Sequence, residues 1–295
     1  MSKSFFKSCV LKFSLSMVAL GNASSAAVAA DAVKIGYTNW ADVMAVVHVA
    51  KYVMETKMKQ PVQLVKADIG IQYQGVARGD LEVMLGGWLP VTHASYYDKH
   101  KADMDDVGIL YTGGKNGWVV PTYVPESVVS SVADLAKPEV QAKMKGIVQG
   151  IEPGGGLMRA SEKTIEAYNL GAAGYKLQSS SEAGMLASIQ RAYPQQQWVV
   201  ATVWSPHWLF QKWNMRYLKD PKGTLGGEEQ IHAFGSKQLA SKFPKAHTFI
   251  KNLKLDLADV ESIEKDGQVS NDYETAAKKF VDSHPEKLKA WLAGQ

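Results

Sequence analysis

Cysteine is almost missing from this chain: Cys9 is the single one in 295 residues, and it stands ahead of the first apolar stretch. Disulfide staples, thiolate catalysis and cysteine-ligated metals are thereby excluded for everything after residue 30. A lipid-modified cysteine would follow an apolar stretch behind small residues, so Cys9 does not read as an anchor. Acidic residues are also absent before Asp31. Lys3, Lys7 and Lys12 lead instead into an apolar stretch over 13–20 and a small-residue run ending Ala27-Val28-Ala29-Ala30. A basic flank, a short apolar segment and an Ala-x-Ala step make a cleavable secretory signal. The apolar part falls short of the about 20 residues that a membrane span needs. Residues 1–30 are therefore expected to be a signal peptide, cut before Ala30 or Asp31, and the mature protein to be periplasmic and not lipid-anchored.

An excess of either charge is lacking too. The 33 basic residues face 29 acidic ones, and without the three early lysines 30 face 29. Bulk charge thus points to no nucleic acid and no anionic membrane. Signatures of catalysis are missing: there is no Gly-x-Ser-x-Gly elbow, no His-Glu-x-x-His zinc helix and no Gly-x-Gly-x-x-Gly after a strand. Ser205 and His207 form a Ser-x-His pair without the third member of a triad. His48, His100, His232, His247 and His284 show no ligand spacing, and His48 sits inside an expected helix. No catalytic residue, metal or cofactor is assigned, and no repeat, long linker or low-complexity tract interrupts the chain.

What is present is an alternation of short apolar strands with amphipathic helices. Strands are expected over 33–37, 61–66 and 81–85. Between them come a helix over 41–57, with Val43, Val46, Val47, Ala50, Val53 and Met54 on one face, and a shorter one over 72–78. A second block starts near Pro121, with helices over 131–144, 156–168 and 182–191 and strands over 146–149, 175–178 and 198–203. A strand over 230–234 and helices over 237–253, 258–264 and 273–292 follow. The pattern is that of an α/β fold built from β-α-β units. The tail has no sheet of its own and is expected to return to the first block. The domain reading is a first lobe over 31–120, a second over 121–230, and a returning segment over 231–295.

Three of the eight tryptophans, Trp40, Trp88 and Trp204, each stand at the end of an expected strand. Ligands of open α/β sheets bind beyond the carboxyl ends of strands, so these three indoles are candidates to line one cleft. Tryptophan is also a common packing residue, and the other five are expected to serve only that purpose. An aromatic box favours a weakly hydrated cation, quaternary ammonium above all. Asp42 is either its countercharge or a first-turn carboxylate favoured by the helix dipole. His93, in Trp88-Leu-Pro-Val-Thr-His93, stands close enough to return to the same cleft, or is an ordinary half-buried histidine. The glycine cluster of Gly150-Ile-Glu-Pro-Gly-Gly-Gly-Leu157 leads into a helix, whose first N–H groups can hold an anion. It is otherwise a turn that needs glycine dihedrals.

Six pieces, in order, resemble the substrate-binding proteins of ABC importers for glycine betaine and related quaternary ammonium compounds. They are Asn39-Trp-Ala-Asp42, Trp88-Leu-Pro-Val-Thr-His93, Val119-Val-Pro-Thr-Tyr123, Gly150-Ile-Glu-Pro-Gly154, Ser179-Ser-Ser-Glu-Ala183 and Trp204-Ser-Pro-His-Trp208. The resemblance implies a two-lobed periplasmic binding protein fold, type II-like, with the ligand cleft between lobes. It implies that Trp40, Trp88 and Trp204 surround the ammonium head, while His93 and the backbone N–H groups of Gly156 and Leu157 take a carboxylate. It further implies capture without chemistry, and delivery to an inner-membrane permease with its ATPase subunits. Choline-binding relatives are similar in carrying an acid near position 42 but usually lack the histidine; betaine binders often have Glu there. His93 therefore favours glycine betaine or a similar osmoprotectant, and Asp42 keeps choline or carnitine open. A periplasmic enzyme acting on methylated amines and a sensor of the same fold are the remaining alternatives.

Overall fold

The computed structural model describes residues 31–294, so the expected signal segment lies outside the described residues. Among the described residues, nine strands form one sheet: β1 (Val33–Tyr37), β2 (Val62–Lys66), β3 (Val83–Leu89), β4 (Met104–Pro121), β5 (Ile147–Gln149), β6 (Lys176–Gln178), β7 (Val200–Ser205), β8 (Met215–Tyr217) and β9 (Glu228–Ser236). Their order is β2-β1-β3-β9-β4-β7-β5-β6, with β8 beside β4. β1 runs parallel to β2 and β3, and β5 parallel to β6 and β7. The central pairings of β9 with β3 and β4, and of β4 with β7 and β8, are antiparallel.

The long strand β4 ties two halves of the sheet together. Met104 to Lys115 pair with β9, and Lys115 to Val119 pair with β7. Sequence patterning does not find this strand, because Thr112-Gly-Gly-Lys-Asn-Gly117 breaks the apolar alternation. The glycines there serve close packing: a Cβ on Gly114 would lie 2.7 Å from the Trp88 ring.

Helix Ala41–Thr56 carries the chain from β1 to β2 and buries the six expected positions, with Ala45 and Val49 besides. Its outer side is covered by helices Leu257–Ser270 and Tyr273–Ser283, so burial extends beyond one stripe. Three expected helices are broken at prolines. The stretch 131–144 divides into a 3-10 turn, Val132–Ala136, and a helix, Pro138–Met144. The tail divides likewise at Pro244 and Pro285. Proline lacks the N–H that would continue a helix and holds the residue before it out of helical dihedrals, as at Lys137 (φ −65°, ψ 130°).

Candidate functional site

The seven residues singled out from the sequence line one cavity. Trp40, Asp42, Trp88, His93, Gly156, Leu157 and Trp204 meet there with Thr92, Asn116 and Ile151. The cavity holds about 290 Å³ of space outside protein atoms, part of it open to solvent. Trp40 follows β1 and immediately precedes helix Ala41–Thr56. Trp88 and Trp204 lie inside β3 and β7 rather than beyond them, because pairing runs on to Leu89 against Gln230 and to Ser205 against Lys115.

Two of the three indoles, Trp40 and Trp204, are fixed by their polar edges. Trp40 Nε1 donates to Glu152 Oε2 at 3.0 Å, and Trp204 Nε1 to Asp42 Oδ1 at 3.1 Å. Their ring centroids are 6.2 Å apart, with planes at 57°. Asp42 is a first-turn carboxylate of helix Ala41–Thr56 and also lines the cavity. Its other oxygen accepts from Tyr111 Oη at 3.1 Å. Burial, and then the nearby Glu182 carboxylate, push the Asp42 carboxyl up to about 6.

Hydrogen-bond donors line the same cavity, and the His93 ring stacks on Trp40 with centroids 6.4 Å apart. The Trp88–His93 segment closes on itself: His93 N–H donates to Trp88 O at 2.9 Å, and Trp88 N–H to His93 Nδ1 at 3.0 Å. An accepting Nδ1 puts the ring proton on Nε2, so the imidazole is a neutral donor. Burial, reinforced by the Arg159 guanidinium, pulls the His93 pKa down to about 3 and keeps the ring neutral at physiological pH. The loop is held from β9, where Glu229 Oε2 accepts from Val91 N–H (3.1 Å) and Thr92 N–H (2.9 Å).

Helix Gly156–Ala167 adds the remaining donors. Its first backbone bonds run from Met158 and Arg159 to Gly155 O, so the Gly156 and Leu157 N–H groups precede them. A Cβ on Gly156 would lie 2.3 Å from Thr92 O, so a glycine is what lets this helix start approach the loop. Arg159 Nη2 donates to the same carbonyl at 3.3 Å. The cavity therefore gathers three indoles, a carboxylate, a neutral imidazole stacked on Trp40, and the backbone donors of a helix start. Among the described residues, no group of three or more His, Cys, Asp or Glu is placed to hold a metal ion.

Sequence reasoning missed Asn116, Tyr111, Glu229 and Arg159, which support this arrangement. Their signal was weak, since Asn116 and Tyr111 sit on the unrecognised β4 and Glu229 only meets the loop through the sheet. Thr92, Glu152, Glu182 and His207 had a signal: each lies inside a quoted motif, though none was given a task.

Among the described residues, no helix is long and apolar enough to cross a membrane. Residues 31–283 match the family described as the substrate-binding domain of ABC-type glycine betaine transport systems. The chain is 32% identical over 159 residues to the glycine betaine/carnitine transport binding protein of Listeria monocytogenes; the match covers 54% of this chain and 53% of that one, about half of each. Lactococcal OpuAC, solved closed with glycine betaine, superposes with a TM-score of 0.81 at 34% identity, covering 89% of this chain and all of that one. The glycine betaine, L-proline binding protein ProX of Borrelia burgdorferi gives 0.83 at 29% identity, covering 90% of this chain and 97% of that one. The fold is α/β and shares the two-lobed architecture of these substrate-binding proteins. The chain belongs to the family of substrate-binding domains of ABC-type glycine betaine transport systems.

Proposed function

We propose that this protein captures glycine betaine or a closely related zwitterion in the cavity, without chemistry, and delivers it to an inner-membrane permease driven by ATPase subunits. The observation that carries the reading is that one cavity gathers Trp40, Trp88, Trp204 and Asp42 with His93 and with Gly156 and Leu157 at the start of a helix. The indoles hold the methylated ammonium through their faces. The donors hold the carboxylate, as a helix N-terminus holds an anion. In this reading residues 31–120 with 231–295 form one lobe and 121–230 the other, and the mature protein works in the periplasm. The match to transport substrate-binding proteins favours a binder over an enzyme.

A second ligand, choline, is favoured by one observation, the Asp42 carboxylate in the cavity wall. Calorimetry with glycine betaine, proline betaine, choline and carnitine separates the two. Glycine betaine is expected to bind tightest, and His93→Ala to weaken it by about 1.5–3 kcal/mol, a hydrogen bond to a charged group. Tighter choline binding, unchanged in His93→Ala, would assign the site to choline.

A further inference from the structure

The cavity wall contains an acceptor that the protein itself does not use. Asn116 stands on β4 just past the point where pairing passes from β9 to β7, opposite Trp204. Cross-strand partners share a face of the sheet, and so do residues two apart on one strand. Asn116 therefore projects on the side of Trp204, and on the side of Gly114, where the Trp88 ring packs. It is buried, at 6% exposure, and lines the cavity.

The direction of its amide is fixed by what surrounds it. Glu229, itself 1% exposed, gathers four donors: Val91 N–H, Thr92 N–H, the Thr92 hydroxyl and Asn116 Nδ2. Asn116 Nδ2 lies 3.2 Å from Glu229 Oε1 and 2.6 Å from Thr92 Oγ1. The Thr92 hydroxyl gives its one proton to Glu229, so toward Asn116 it can only accept. Both neighbours thus demand the NH2 group, and a flipped amide would set oxygen against two oxygens. The carbonyl is what remains. Asn116 Oδ1 accepts no hydrogen bond from the protein, and it is not sealed away as a buried atom either. Asp42, the carboxylate of the same wall, takes a bond at each oxygen.

Resting on the betaine reading of the cavity, we propose that Asn116 Oδ1 is a specificity-determining acceptor for a hydroxyl group on the ligand. The ligand class it favours is a trimethylammonium carboxylate with an alcohol on the carbon chain between its two charges. Glycine betaine has no O–H or N–H to offer, so it leaves this acceptor without a donor. An alcohol donates its proton to Oδ1. A site that accepts a hydroxyl discriminates against the analogue lacking it, because the site's own polar group is then left unpaired. Thr92 and Glu229 are positioning residues that act through Asn116, holding its amide so that oxygen is left for the ligand.

The test compares carnitine, each enantiomer separately, with γ-butyrobetaine, the same molecule without the hydroxyl. Affinities are measured calorimetrically for the wild type, Asn116→Leu and Glu229→Gln, with glycine betaine alongside. The wild type is expected to bind one carnitine enantiomer about tenfold tighter than γ-butyrobetaine, a difference worth 1.4 kcal/mol. Asn116→Leu keeps the bulk, removes the acceptor and is expected to abolish the preference. Glu229→Gln can offer an N–H to Asn116, which frees the amide to flip, and is expected to narrow it. A merely structural role would weaken both ligands together and leave the ratio unmoved. A wild type that binds glycine betaine but prefers neither carnitine enantiomer by threefold overturns the proposal and leaves the betaine reading intact. So does a preference that survives in Asn116→Leu or, should that variant fail to fold, in Glu229→Gln. A wild type that binds none of these zwitterions overturns the betaine reading, and this proposal with it.

Discussion

Acidification is expected to release the ligand, and Asp42 sets where. Its carboxyl is raised from 3.8 to about 6, chiefly by burial and next by Glu182. At 1.36 kcal/mol per pH unit, that rise is about 3 kcal/mol of resistance to ionisation in the ligand-free protein. A quaternary ammonium against the same wall favours the ionised form, so binding below pH 6 expels a proton. The apparent Kd is then expected to be about twofold weaker at pH 6 and about tenfold weaker at pH 5 than at pH 7.5, by proton linkage. His93 does not blur the transition, because its pKa of about 3 keeps it neutral throughout. Titrating calorimetrically at each pH, in buffers of different ionisation enthalpy, counts the proton directly. About one should be released at pH 5 and almost none at pH 7.5.

Folding should move the opposite way. A carboxyl whose pKa is higher in the folded chain than in the unfolded one stabilises most below about 4, and that contribution is lost as pH rises through about 6. Ligand-free melting temperatures thus lose this contribution over the window in which the ligand-induced shift grows. Asp42→Asn is expected to flatten the pH dependence of binding. A wild-type Kd that stays constant from pH 7.5 to 5, with no proton released, would refute the reasoning.

The cage and its support can be tested in the same instruments. Trp40→Ala, Trp88→Ala and Trp204→Ala are each expected to weaken binding by about 1–2 kcal/mol or more on cation–π grounds; intact affinity in any two of them excludes the cage. Glu229→Ala leaves the Val91 and Thr92 N–H groups without their acceptor. It is expected to lower the melting temperature and betaine affinity together, by about 1–3 kcal/mol in all, because both bonds are only part-buried.

Much of this site was legible in the sequence because its chemistry is local. Trp88 and His93 are joined by a turn five residues long that bonds to itself, and Trp40 and Asp42 share the start of one helix. The Gly156 and Leu157 amides follow from a glycine cluster ahead of a helix. What stayed hidden is non-local. β4 was missed because its middle is glycine-rich and polar, and with it went Tyr111, Asn116 and the continuity of the sheet. The prolines at 138, 244 and 285 broke helices that apolar periodicity alone had joined. Glu182 and Glu264 meet Ala41 and Trp208 across 141 and 56 residues of chain, and no local pattern records such a pairing.

The bonds at the indole edges also bear on what kind of cation the cage selects. Trp40 and Trp204 already donate their N–H groups to Glu152 and Asp42, so they turn faces rather than donors to the cavity. Asp42 accepts one hydrogen bond at each oxygen, from Trp204 and Tyr111, and is the one carboxylate lining the cavity. A primary ammonium would bring three N–H donors and lose their hydration, and indole faces offer no acceptor in return. A trimethylated nitrogen has no donor to leave unpaired, and its charge is spread over methyl groups that pack against the rings. On the betaine reading of the cavity, these walls are expected to discriminate by methylation, through the hydrogen bonds that the protein has already made with itself.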